Sequence, residues 1–125
     1  MAHQPKFPIY IVSKGRAYRP MTANLLDNAG IDYLIAVEPQ ESAEYVAKLG
    51  QHRVLVLPFS NLGLGSFPAR NFCWEHSKSN NHEYHWVLDD NIQTWRTWKN
   101  GRRVNEPDIA AAMVYVEKYA QKKPN

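Results

Sequence analysis

The chain has 125 residues, enough for one domain, and its 44% hydrophobic and 22% charged content is ordinary globular composition, so disorder is not the default. A formal charge of +3 and a pI near 9.0 favour anionic partners only weakly. The single cysteine, Cys73, excludes an intramolecular disulfide or a thiolate zinc cluster and suits a reducing cytoplasm; the first apolar run is too short for a membrane span or signal core.

Four short apolar runs, Phe7 to Val12, Tyr33 to Val37, Arg53 to Leu57 and Tyr84 to Leu88, read as strands buried on both faces of a parallel sheet. Helical spacing fills the gaps. Thr22, Leu25, Leu26 and Ala29 share one face before Gly30, and Ser42, Tyr45, Val46 and Leu49 share another before Gly50. Pro68 opens a third helix with Ala69, Phe72, Cys73 and His76 turned inward. The β-α-β-α-β-α-β order predicts right-handed crossovers and a three-layer α/β/α sandwich. The pattern then changes: Ile92 to Trp98 reads as a strand, Lys99-Asn100-Gly101 as a turn and Arg102 to Val104 as its partner. Asn105, Pro107 and Asp108 start a last helix carrying Ile109, Ala112, Met113 and Val116, which runs to about residue 121. The organisation is one domain, 1–125, with a β/α core at 8–91, a hairpin at 92–104 and a terminal helix at 105–121.

Ligands of open α/β sheets sit beyond the carboxyl ends of the strands, so the residues at those ends carry the functional reading. The first strand delivers Ser13-Lys14-Gly15-Arg16, a hydroxyl, a glycine and two cations suited to a phosphate or base, although an ordinary polar turn has the same composition. The second ends in Glu38 before Pro39, an acceptor for ribose or a base edge, or simply a loop carboxylate. The third leads through Leu62-Gly63-Leu64-Gly65 to Arg70 and Asn71 in the first helical turn. A cation there opposes the helix dipole, which points to a bound anion or to pairing with a carboxylate. The fourth ends in Asp89-Asp90-Asn91, two adjacent acids whose repulsion a divalent cation on the ligand's phosphates would offset.

In this order, strand-Ser-x-Gly-Arg, strand-Glu, Gly-rich loop-Ala-Arg-Asn helix and strand-Asp-Asp-Asn, the chain resembles GT-A fold glycosyltransferases of the family 2 type, and more narrowly the TET-associated glycosyltransferase group of bacteriophages. The resemblance is clear over Pro8 to Asn91 and looser to Tyr119. It implies a nucleotide-sugar donor of the UDP-glucose type, with nucleoside contacts from Ser13, Gly15, Arg16 and Glu38 and with Lys14 and Asn71 in the same binding set. It further implies a D-x-D-like motif in which Asp89 contacts ribose and Asp90, with Asp89, holds Mn²⁺ or Mg²⁺. Arg70 would stand by the pyrophosphate or brace the Asp pair, and Asn91 would orient the loop. The implied acceptor is a hydroxymethylated pyrimidine in phage DNA, in the host cytoplasm and with no membrane partner.

Enzymes of this fold carry an acceptor site, and in inverting members the general base, in a second half. Here a hairpin and one helix follow Asn91, so the expectation is a compact variant, a truncated gene product, or one piece of an assembly in which a homo-oligomer or partner subunit supplies the missing acceptor half. No base is assigned, because Glu106 and Asp108 read as helix-capping residues. Two alternatives stand beside this reading: a non-catalytic, partner-dependent nucleotide-sugar module that exposes a large apolar patch, and a nucleotidyltransferase, which would want a richer Gly/Lys loop than Ser13 to Arg16. Of the tryptophans, Trp86 reads as core, and Trp95 and Trp98, three apart on a strand, as facing opposite sides, one of them bordering a site.

Overall fold

The computed structural model describes residues 4–122. Its main sheet is four parallel strands in the order β3-β2-β1-β4, formed by β1 (Ile9–Val12), β2 (Leu34–Val37), β3 (Val54–Val56) and β4 (Trp86–Asp89). Between them lie α1 (Met21–Asn28), α2 (Ser42–Leu49) and α3 (Phe67–Ser79).

The strand order dictates where the helices go. The steps from β1 to β2 and from β2 to β3 run one way along the sheet, whereas the step from β3 to β4 runs back past β1. A crossover of unchanged hand must then pass over the opposite face. The two cores match this. Ile9, Ile11, Ile35 and Val37 pack with Leu26 of α1 and Tyr45 of α2, while Tyr10, Val12 and Ala36 pack with Cys73 of α3. Strand alternation does the sorting, since successive residues of β1 point to opposite faces. The expected three-layer sandwich is the observed one. Cys73 is fully buried, which pushes its thiol pKa up to about 11 and makes it a packing residue.

The strands begin later than their apolar runs. Pro8 has no N–H for a ladder, and the backbone N–H groups of Lys6 and Phe7 are instead taken by the Glu117 carboxylate at 2.7 and 2.9 Å. At the other end β4 extends to Asp89, which pairs with Val12.

The expected strand over Ile92 to Trp98 is corrected. Ile92 and Trp95 pack against the first core, with Trp95 edge-on to Trp86 at 6.3 Å, and the ladder begins only at β5 (Arg96–Lys99), paired antiparallel with β6 (Arg102–Asn105). Asn100 and Gly101, with φ of 53° and 80°, make the two-residue turn that matches strand twist. This hairpin is a separate two-stranded sheet. Trp98 is thereby 70% exposed while Trp95 turns inward, so the two do face opposite ways, although only Trp98 lies on a strand. Trp86 is only partly buried, because β4 is an edge strand; its Nε1 donates to Glu117 at 2.9 Å.

The last helix, α4 (Ile109–Lys122), returns to the first core through Ile109, Ala110 and Met113. Asp108 caps it, its Oδ1 accepting from the N–H of Ala111, and Glu106 accepts from the N–H of Asp108.

Candidate functional site

The strand-order reversal falls between β1 and its neighbours, where α1 leaves to one face and α3 arrives from the other. Such switch points leave a crevice at the carboxyl ends of the strands. A cavity of about 460 Å³ opens there. The loop after β1 gives it Ser13, Lys14 and Arg16; β2 gives Glu38; the loop into α3 gives Phe59, Leu62, Gly63, Gly65 and Ser66; β4 gives Asp89, Asp90 and Asn91. Gly15, Arg70 and Asn71 lie outside the lining. The N–H of Gly15 bonds Glu41 at 2.7 Å, and Asn71 is exposed on α3.

The two aspartates are held by different partners. Asp90 accepts from Ser13 Oγ at 2.8 Å and meets Arg16 Nε at 3.3 Å. Ser13 Oγ in turn accepts from the Tyr45 hydroxyl at 2.6 Å, and the Tyr45 oxygen accepts from the N–H of Arg16 at 3.1 Å. Burial raises the Tyr45 pKa, so the phenol stays protonated and keeps donating at neutral pH. Asp89 is exposed and pairs with Arg70 Nη2 at 2.7 Å, while Arg70 Nε donates to Ser66 Oγ at 3.0 Å. The disfavoured first-turn cation is thus offset by a carboxylate.

Glu38 links the loops after β1 and β3. It accepts from Gln40 Nε2 at 2.8 Å and from the N–H of Asn61 at 3.1 Å, and it meets Lys14 Nζ at 3.4 Å. The Gln40 hydrogen bond, with help from Asn61 and Lys14, holds its carboxyl below the usual carboxylate range against the opposing effect of burial. Lys14 also donates to Asn61 Oδ1 at 2.8 Å.

Two residues that shape the site are not evident from the sequence pattern. Thr22, fully buried on α1, donates through Oγ1 to the carbonyl of Asp89 and accepts from the N–H of Ile92 at 2.9 Å, clamping the turn that carries the acidic pair. Tyr45 occupies a core position on α2 but has its hydroxyl against Ser13. The only available signal was a hydroxyl on each apolar helical face, and helical spacing does not say what it touches.

Hard carboxylate oxygens in this number suit Mg²⁺ or Mn²⁺ only in part. Among the described residues no group of three or more His, Cys, Asp and Glu side chains comes together. A cation held by Asp89 and Asp90 would have to take its remaining ligands from outside the protein.

No helix of the described residues is long and apolar enough to cross a membrane. Comparison with curated proteins and with solved structures gives no significant match. The model of one family, TET-Associated Glycosyltransferase, matches residues 7–119, which includes every element from β1 to β6, the whole cavity and most of α4. A glycosyltransferase moves a sugar from a donor to an acceptor, and the chain, matched over nearly all its length, belongs to the TET-associated glycosyltransferase family.

Proposed function

We propose that the cavity binds a nucleoside-diphosphate sugar, of the UDP-glucose type, and that the sugar passes to a hydroxymethylated pyrimidine in DNA, as in a phage-infected host cytoplasm. The single observation that carries the donor half is the convergence of Ser13, Lys14, Arg16, Glu38, Asp89 and Asp90 on one crevice at the strand-order reversal. Ser13, Gly15, Arg16 and Glu38 meet the nucleoside in this reading, with Lys14 in the same binding set. Asp89 meets the ribose, Arg70 stands by the pyrophosphate, Asn71 belongs to the same binding set, and Asn91 orients the turn.

Asp90, with Asp89, would hold Mn²⁺ or Mg²⁺, which when bound offsets charge growing on the diphosphate as it leaves. The protein's own part is positional. Tyr45 and Ser13 fix one Asp90 oxygen, and Arg16 supplies a cation that can turn to the ligand once Asp90 is otherwise neutralised.

Calorimetric titration of UDP and UDP-glucose, with and without Mn²⁺, tests the donor assignment. Wild type is expected to bind in the presence of metal, and Asp90→Ala to lose that binding about a hundredfold or more, the scale of one lost charge-assisted ligand set. Absence of binding by wild type with metal present removes the assignment.

A second reading, a donor-binding module that acts through a partner, has one observation in its favour. Leu62, Leu64 and Phe67 are 52%, 64% and 67% exposed along the loop that borders the cavity. Metal-dependent UDP binding without sugar transfer to any DNA by the isolated chain would select it.

A further inference from the structure

We infer that the β5–β6 hairpin is a polynucleotide-docking surface, built around Trp98 with Arg96 and Arg103 beside it. The inference deepens the acceptor half of the reading above, naming the element that holds the DNA, and does not depend on the donor half.

Charge is the first observation. Between Arg96 and Asn105 stand Arg96, Lys99, Arg102 and Arg103 with no acid, a local +4. The whole chain carries +3, so all other residues together come to −1. The net basicity of the protein therefore resides in this one element. These four cations also differ from those of the cavity: among the described residues Lys14, Arg16 and Arg70 each meet a carboxylate, whereas none of the hairpin cations does. A clustered, unneutralised set of Arg and Lys is the electrostatic footprint of a phosphate-backbone binder.

Register is the second observation. Trp98 lies directly opposite Arg103, and Arg96 opposite Asn105, so Arg96, Trp98 and Arg103 share one face by strand alternation. Thr97 and Val104, opposite each other, share the other face and are partly buried. The outward face thus presents a 70% exposed indole flanked by two exposed guanidiniums. An aromatic plane on which a base can stack, with cations set to take the phosphates on either side, is how sequence-tolerant single-strand binders work.

An anionic membrane would also attract these cations. It would require a contiguous apolar face, and from Arg96 to Arg103 the only large apolar side chain exposed is Trp98. The polynucleotide is the better match.

Fluorescence anisotropy with a labelled 20-nucleotide single strand and its duplex, in the absence of nucleotide sugar and metal, tests the surface without involving the cavity. Wild type is expected to bind, with affinity falling steeply as salt rises. Arg96→Gln/Arg103→Gln should weaken binding at least tenfold and reduce the magnitude of the log–log salt slope by about 1.5, at about 0.7 to 0.9 for each phosphate no longer neutralised. Trp98→Ala should weaken single-strand binding about tenfold. Lys48→Gln/Lys122→Gln, two exposed cations on other elements, removes the same charge as a control. All three variants alter exposed positions, so unchanged thermal unfolding verifies the fold. The inference is overturned if wild type does not bind the oligonucleotides, if the control loses as much as the hairpin variant, or if the hairpin variant is lost only from phosphatidylglycerol vesicles.

Discussion

The cavity and the hairpin are both rich in charge, and they use it in opposite ways. In the cavity Asp90 is met by Ser13 and Arg16, Asp89 by Arg70, and Glu38 by Gln40, Asn61 and Lys14. Each carboxylate there is already oriented, which limits the reorganisation needed when a ligand enters. On the hairpin no carboxylate answers Arg96, Lys99, Arg102 or Arg103 among the described residues. Paired charge fixes geometry, as the recognition of a small donor requires. Unpaired charge of one sign creates a field, as the capture of a long polyanion requires.

The contrast can be broken at the cavity by removing what holds its turn. Thr22→Val keeps the shape but removes the hydrogen-bond partner of the Asp89 carbonyl and of the Ile92 N–H, both partly buried against a Thr22 side chain that is itself fully buried. The expected cost is about 2 kcal/mol in denaturant unfolding, together with about tenfold weaker metal-dependent UDP binding; Thr22→Ser should restore most of both. If the valine variant destabilises but binds UDP normally, Thr22 serves the fold and not the site.

A sharper division comes from exchanging one cation at a time. Arg70→Gln removes the partner of Asp89 and is expected to weaken UDP binding about tenfold, with a stability change below about 1 kcal/mol because the pair is exposed. Arg103→Gln should leave UDP binding unchanged and weaken DNA binding. Equal effects of the two on UDP would erase the distinction between the regions.

The smallest effect concerns pH. The Glu38 carboxyl is held below its ordinary value, chiefly by the Gln40 hydrogen bond and then by Asn61 and Lys14. A depressed folded-state value means that the link contributes stability above the unfolded value of 4.5, and that this is lost as pH falls below it and through the folded value. Glu38→Gln should therefore flatten that part of the acid limb of unfolding while leaving stability near neutrality only slightly lower. An acid limb identical to wild type would show that the three partners do not act on Glu38 in solution.

The fold was legible where the period was clear. Apolar runs marked β1 to β4, and Gly30 and Gly50 marked the ends of α1 and α2, with φ of 70° and 99°; at Gly50 a Cβ would come within 2.9 Å of the His52 ring. The strand pattern misled at 92–95, where Ile92 and Trp95 have strand composition but pack on the core. The site was legible at the strand ends because parallel topology collects those residues whatever the loops do. Thr22 and Tyr45 in the site, and Glu117 in the fold, were not, since each is a polar group on an otherwise apolar helical face. Glu117, 5% exposed, takes the N–H groups of Lys6, Phe7 and Trp86 Nε1 from across the chain. Partners 31 or more residues away leave no trace in local periodicity.

The most direct measurement of the central claim is a crystal structure of the chain soaked with UDP and Mn²⁺. The account predicts the diphosphate and the metal at Asp90 and Asp89, with the nucleoside reaching toward Ser13, Arg16 and Glu38. A nucleotide bound elsewhere, or metal density away from the acidic pair, would contradict it.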